Sequence, residues 1–248
     1  MLQNFDSLVL IWLGIGFITF ITLLKIPAPY GKFSKTNWGP MIPSKLGWIV
    51  MEIISPLALL YFFLNGNIEK TPTNITFVSL WTLHYFNRSV IYPLRQNNPA
   101  QMPLLIAVLA FLFNVMNGYI NGTYFGSIQE YSAEYMSNWN FIVGVCLFII
   151  GAYINIKSDN ILLSLRSKSG EYKIPEGFMF RYVSFPNYLG EILEWMAFAL
   201  MTWSLAGLSF MIWTMANLVP RAIKGHQWYH DKFESYPKNR KAIFPFII

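Results

Sequence analysis

Residues 8–24 read LVLIWLGIGFITFITLL, and no charged side chain falls between Asp6 and Lys25. A helix rises about 1.5 Å per residue, so about 20 such residues cross the ~30 Å hydrocarbon core of a bilayer. The run is too long for the core of a secretory signal. It also lacks a basic leader and a small-residue cleavage site, so it predicts a retained membrane anchor. The rest of the chain shares this character. Of 248 residues, 54% are hydrophobic, 18% aromatic and only 12% charged, where soluble domains carry about 25% charged residues. The mean hydropathy is +0.40. These values exclude a disordered chain, a collagen-like fibre and, with Cys146 as the single cysteine, a disulfide scaffold. More apolar surface remains than one soluble core could bury, and lipid is the natural solvent for it.

Further spans follow from apolar runs near Leu46–Leu64, Ile75–Leu94, Met102–Ile120 and Trp139–Ile156. The segment Asn187–Pro220 has 34 residues; as one helix it would reach ~51 Å and overshoot the bilayer. The alternative is two short spans with a turn near residues 203–207. Charge placement decides. Lys25, Lys32, Lys35 and Lys45 flank the first loop. Lys157, Arg166, Lys168, Lys173 and Arg181 follow the fifth span, and Arg221, Lys224, Lys232, Lys238, Arg240 and Lys241 lie in the tail. The loop 121–138 holds Glu130 and Glu134 and no basic residue. Basic loops belong in the cytoplasm, and these share a side only if the chain crosses twice between residues 187 and 220. The expectation is an all-α integral membrane protein with seven transmembrane helices, N-terminus outside and C-terminus cytoplasmic. One membrane domain covers residues 1–248. The net charge of +6 is then topological, and it calls for no nucleic-acid partner. No oligomer is implied either.

Charges within the spans cost about 2.5–3.5 kcal/mol each even on lenient insertion scales. Glu52 lies in span two among Ile49, Val50, Met51, Ile53 and Ile54. His84 and Arg88 share a face of span three, and Glu191 and Glu194 share a face of span six. Two readings fit: internal ion pairs that hold the bundle, or a polar cavity closed to lipid. Glu52 favours the cavity. A carboxyl in its neutral form can donate to a ligand oxygen, and so can Tyr85; two donors on one carbonyl stabilise negative charge developing there.

The flanks of the fifth loop and the tail interleave Arg, Lys, Asn, Asp and Tyr. A phosphate-bearing, hydroxyl-rich ligand would need such a set, because Arg grips phosphate with two prongs. A solvated surface against lipid headgroups explains the same composition. Neither a GxGxxG nor a P-loop is present, so a nucleotide would sit among helices. His226 and His230 have metal-compatible spacing, but no carboxylate completes a HExxH site, and no metal is expected. Asn74-Ile75-Thr76 and Asn121-Gly122-Thr123 match the glycosylation sequon.

Several longer pieces point to a family: LHYFNRSVIYPL (83–94), INIKSDNILLSLR (154–166), GEYKIPEG (170–177), NYLGEILEW (187–195) and YPKNRKAIFPFI (236–247), with the short element Tyr30-Gly31-Lys32. In this order the chain resembles the steroid 5α-reductases, closest to the type 2 branch. The resemblance runs from the first loop to the last residues. It implies a seven-helix enzyme that reduces the Δ4 double bond of 3-oxo-Δ4 steroids with NADPH. Its steroid site would lie among the N-terminal spans, and its dinucleotide site in spans five to seven, loop 157–186 and the tail.

The family's carbonyl-binding pair falls on Glu52 and Tyr85. Its dinucleotide contacts fall on Asn155, Asp159, Arg166, Tyr172, Asn187, Glu191, Arg221, Tyr229 and Arg240, and Arg88 also matches. Many relatives carry Gln where this chain has Met51. A family His in the tail aligns to Gly225, beside His226, and the basic element after span three is altered at residues 95–99. The resemblance further implies a hydride delivered to carbon 5 of a steroid arriving from the lipid, with the 3-oxo group held by Glu52 and Tyr85. NADPH would come from the cytoplasm, in the endoplasmic reticulum or a bacterial inner membrane. Related enzymes reduce sterol or enoyl-thioester double bonds or methylate isoprenylcysteine. A transporter or binding protein with an intramembrane polar site is the alternative from another class; no inverted repeat supports it.

Overall fold

The structure, a computed structural model, describes residues 2–96, 100–165 and 172–248. Among the described residues it is mainly helical, with one two-stranded ribbon and an isolated bridge between Val183 and Lys241. The order is α1 (Leu2–Lys25), β1 (Met41–Pro43), α2 (Ser44–Leu64), α3 (Pro72–Phe86), α4 (Tyr92–Leu94), β2 (Gln101–Pro103), α5 (Leu104–Thr123), α6 (Trp139–Leu165), α7 (Pro186–Thr202) and α8 (Leu205–Lys232). A π-helical turn, Asn87–Ile91, joins α3 to α4. Strands β1 and β2 pair antiparallel, with Ile42 opposite Met102.

The stretches Asn4–Lys25, Ser44–Leu64, Leu104–Ile128 and Trp139–Leu165 are long and apolar enough to cross a membrane. The protein is a membrane protein, and its surface agrees: Leu10, Ile11, Phe17, Ile18, Leu57, Tyr61, Leu112 and Ile149 are exposed.

The expected break in the 187–220 segment is present. Trp203 adopts the left-handed conformation (φ 45°, ψ 45°) and ends α7. The Ser204 hydroxyl then accepts from the Gly207 N–H at 3.0 Å and caps α8. Two boundaries differ from expectation. Helix α6 continues through Leu165, well past Ile156, so Asn155 and Asp159 ride on a helix that outlasts the apolar run. Helix α8 continues past Pro220 to Lys232, so the first part of the basic tail is helical.

The chain forms two compact units. Unit 1 holds Met1–Val9 and Ala28–Ile142, and its main contact is α2 against α5. The contact is close because α5 presents Gly118 and Gly122, four residues apart, to α2. A Cβ on Gly118 would lie 2.6 Å from the Ala58 Cβ, and one on Gly122 would lie 2.5 Å from the Leu59 carbonyl oxygen. Small residues at this spacing let helix backbones touch in a membrane, where apolar side chains gain little by leaving lipid. At one end of the unit Asn74 is fully buried. Its amide donates to the Phe125 and Gln129 carbonyls, and its oxygen accepts from the Tyr131 N–H. Asn121 is also fully buried, so both sequon asparagines serve the interior.

Unit 2 holds Leu10–Pro27 and Val143–Ile248. The Trp213 indole packs tilted against Trp12 (centroids 4.6 Å apart) and donates to the Trp12 carbonyl. Helices α6 and α7 meet at Gly151 and Gly190: a Cβ on Gly190 would stand 2.5 Å from the Asn155 nitrogen. The C-terminal segment runs beside residues 182–185, with Ser184 N–H to Lys241 O at 2.8 Å and Phe185 N–H to Ala242 O at 3.1 Å.

Candidate active site

In unit 1 the intramembrane polar residues belong to α2, α3, the π turn and α5. Tyr85, His84 and Arg88 are buried, and Glu52 is half-buried. Two ring contacts and one backbone hydrogen bond hold Tyr85. It stacks on Trp81 (5.7 Å), meets His84 edge-on (5.2 Å), and its backbone carbonyl accepts from the Ser89 hydroxyl. Trp81 is itself held by the Ser55 hydroxyl of α2. The Tyr85 hydroxyl donates to Asn114 Oδ1 at 3.2 Å, and Asn114 Nδ2 donates to the Met51 carbonyl at 2.6 Å. One amide from α5 thus links the Tyr85 phenol to the backbone of the residue before Glu52. One turn earlier on α2 stands Trp48. The Arg88 guanidinium lies 5.6 Å from the Trp48 ring and 4.9 Å from that of Tyr92, within cation–π range. The Trp48 indole N–H is buried without a hydrogen-bond partner. A hydroxyl donor and an unused indole donor, set among apolar helices, suit an uncharged ligand that carries a hydrogen-bond acceptor.

Unit 2 gathers most of the other polar candidates. Asn155 donates to the Asn187 carbonyl (2.9 Å), and Asn187 donates to Asp159 (3.1 Å); all three are buried. The glycine contact between α6 and α7 brings them together. Glu191 follows one turn later on α7. A second row is aromatic. The Arg221 Nε donates to the Tyr188 hydroxyl at 3.0 Å, and Tyr188 stacks on Phe185. Phe185 packs against Tyr229, and Tyr229 stacks on Tyr236. The Arg240 guanidinium lies 4.9 Å from the Tyr236 ring and donates to the Pro175 carbonyl and the Tyr236 hydroxyl. Tyr172 meets Trp228 edge-on at 5.0 Å. Arg166 lies outside the described residues. Arg88 belongs to unit 1, so it does not share a unit with the other dinucleotide candidates.

Several buried atoms of unit 2 have no hydrogen-bond partner: Ser158 Oγ, Asn187 Oδ1 and Arg240 Nε. Leaving such an atom unsatisfied costs about 1–3 kcal/mol. An Arg N–H, a Ser hydroxyl and an Asn carbonyl are the chemical types that phosphate, hydroxyl and amide groups satisfy, so the residues present fit a dinucleotide. The departure in the tail also has a physical basis. A Cβ on Gly225 would overlap the Phe185 ring, so that position has no room for a side chain. His226 instead turns to Ser184, whose hydroxyl lies 2.6 Å from Nδ1 and 2.6 Å from the Tyr236 hydroxyl. Burial above all, and then His230, Arg240 and Lys241, push its imidazole down to about 4. Among the described residues, no group of three His, Cys, Asp or Glu could hold a metal ion.

Comparison with known proteins decides the family. Residues 100–248 match the family model described as 3-oxo-5-alpha-steroid 4-dehydrogenase. The chain is 43% identical to the steroid 5-alpha-reductase DET2 of Solanum lycopersicum, over 98% of this chain and 96% of that one. It is 42% identical to its Arabidopsis thaliana counterpart, over 92% and 91%. Against 3-oxo-5-alpha-steroid 4-dehydrogenase 1 of Rattus norvegicus it is 37% identical, over 98% and 95%. The chain belongs to the 3-oxo-5-alpha-steroid 4-dehydrogenase family.

Members of this family are oxidoreductases acting on CH–CH groups, and so is this protein. Within the family fold, Asn114, Ser184 and Tyr236 hold site side chains in place, and sequence reading did not single them out. For Asn114 a signal existed: Asn114, Asn117 and Asn121 share one face of an otherwise apolar helix. Tyr236 opens the quoted motif 236–247, but its contact with Ser184 comes from tertiary pairing of the tail and has no sequence signal.

Proposed function

We propose that this 3-oxo-5-alpha-steroid 4-dehydrogenase family member reduces the Δ4 double bond of 3-oxo-Δ4 steroids, of the testosterone or progesterone kind, with NADPH. The observation that carries the reading is the buried Tyr85 hydroxyl, fixed by Asn114 beside the backbone that bears Glu52, in a chain so similar to steroid 5-alpha-reductases. Glu52 in its acid form and Tyr85 donate to the 3-oxo group. Each donor draws electron density from the enone toward oxygen and makes carbon 5 more electrophilic. The apolar walls of unit 1 exclude water and orient the steroid, which arrives from the lipid. NADPH, when bound, would supply a hydride for carbon 5, with the proton for carbon 4 drawn from solvent.

In unit 2, Arg221 and Arg240 provide forked donors for phosphates. Asn155, Asp159, Asn187 and Glu191 suit ribose and amide groups, and Tyr172 and Tyr229 present ring faces. The protein would be multi-pass with seven spans, N-terminus outside and C-terminus cytoplasmic. The distribution of Lys and Arg supports that topology, and the helix break at Trp203 is compatible with an extra crossing there.

The test is incubation of purified protein with NADPH and testosterone, an enoyl-CoA or a Δ14 sterol in parallel. Loss of the steroid's Δ4 bond, with hydrogen on the 5α face, supports the reading. Turnover of the thioester or the sterol alone overturns it.

A further inference from the structure

The hydrogen bonds around Tyr85 have fixed directions. A backbone carbonyl only accepts, so the 2.6 Å contact from Asn114 to the Met51 oxygen must come from the Asn114 NH2 group. That leaves Asn114 Oδ1 facing the phenol at 3.2 Å. Oδ1 also only accepts, so the single proton of the Tyr85 hydroxyl points at Asn114. Asn114 is 3% exposed and Tyr85 5%, so water does not readily substitute at either. The same proton is the one that Tyr85 would offer to a ligand carbonyl.

We propose that Asn114 is a positioning residue that holds the Tyr85 proton in the resting enzyme, and that the steroid ketone takes this proton by exchange. The inference rests on the reading of Tyr85 as a ketone donor. It adds two consequences. Binding includes the loss of one buried hydrogen bond to Asn114, which keeps Tyr85 from gripping the ketone at full strength in the ground state. The clamp also fixes where the phenol oxygen stands, through an amide pinned to α2 rather than to the flexible end of a side chain. Both effects act through Tyr85, so they vanish when the phenol is removed.

The experiment is a cycle of four full-length proteins: wild type, Asn114→Leu, Tyr85→Phe and the double variant. Each is loaded with NADP+ for steroid affinity, measured with testosterone, and with NADPH for kcat. Thermal unfolding in detergent checks that each is folded. Asn114→Leu keeps the side-chain volume near that of Asn and removes the acceptor. Relative to wild type it should bind testosterone about fivefold more tightly, equivalent to about 1 kcal/mol, while kcat falls several-fold. In the Tyr85→Phe background the same change should leave steroid affinity within about twofold. The affinity arm remains readable even where turnover is lost. If Asn114→Leu weakens binding, or changes it equally in both backgrounds, Asn114 only packs the bundle and the inference is wrong. If Tyr85→Phe alone has wild-type affinity and rate, the underlying role of Tyr85 is what fails.

Discussion

Substituting Gly190 by Ala tests whether the close approach of α6 and α7 builds the dinucleotide site. The new Cβ would stand 2.5 Å from the Asn155 nitrogen and 2.6 Å from the Gly151 carbonyl oxygen, where ordinary contact begins at 3.4 Å. Both neighbours are backbone atoms, which cannot swing aside, so the helices must part by about 1 Å. The Asn155–Asn187 hydrogen bond, now 2.9 Å, would stretch to about 3.8 Å and be lost. Overpacking costs about 1–3 kcal/mol, and an unsatisfied buried amide about 1–3 kcal/mol more. A middle value of about 3 kcal/mol corresponds to a melting temperature lower by about 6–12 °C for a chain of this length. Any part expressed on the ligand lowers NADPH affinity about tenfold for each 1.4 kcal/mol. Thermal unfolding in detergent and fluorescence titration with NADPH measure the two. Gly14, where an added Cβ meets nothing within 4 Å, is the control, and Gly14→Ala should change neither. If Gly190→Ala keeps both the wild-type melting temperature and the wild-type affinity, the reasoning from helix contact is refuted.

Glu52→Gln should lower kcat about a hundredfold or more, the usual effect of weakening one donor at a developing oxyanion. NADPH affinity should stay within about twofold, and single-turnover kinetics with a parallel NADPH titration separate the two. Arg240→Lys keeps the charge but removes the buried Nε–H, which has no hydrogen-bond partner, and with it the planar two-pronged grip on a phosphate; NADPH affinity should fall about 10–100-fold with testosterone affinity unchanged. His226 gives a pH dependence. Its folded value, about 4, lies below the ordinary 6.5, so the unfolded chain binds the extra proton first. The stability it contributes is complete above about 6.5 and is lost as pH falls toward 4. Wild type should therefore lose melting temperature relative to His226→Asn between pH 7 and 4.5, and a constant gap between them would contradict this.

What the sequence made legible follows from energy. The first, second, fourth and fifth apolar runs needed only composition to read as helices, because a backbone in lipid must satisfy its own hydrogen bonds. The turn at Trp203–Ser204 was also legible, since 34 residues are too many for one crossing. The extensions of α6 to Leu165 and of α8 past Pro220 were not. Beyond the apolar run a helix continues on packing and caps, which a count of apolar residues does not register. Glu52 and Tyr85 stood out as polar groups within apolar runs. Their neighbour Asn114 did not, because its role depends on which carbonyl of α2 lies opposite. The Ser184–His226–Tyr236 cluster depends on the C-terminal segment folding back beside residues 182–185. No periodicity in the sequence encodes that return.

The most direct measurement follows an isotope. Purified protein is incubated with testosterone and NADPH carrying deuterium at carbon 4 of the nicotinamide, and the steroid product is examined by NMR. The account predicts deuterium at carbon 5 of a 5α-dihydro steroid, with carbon 4 receiving hydrogen from solvent. Unlabelled product, deuterium at carbon 4, or no consumption of the steroid would contradict it.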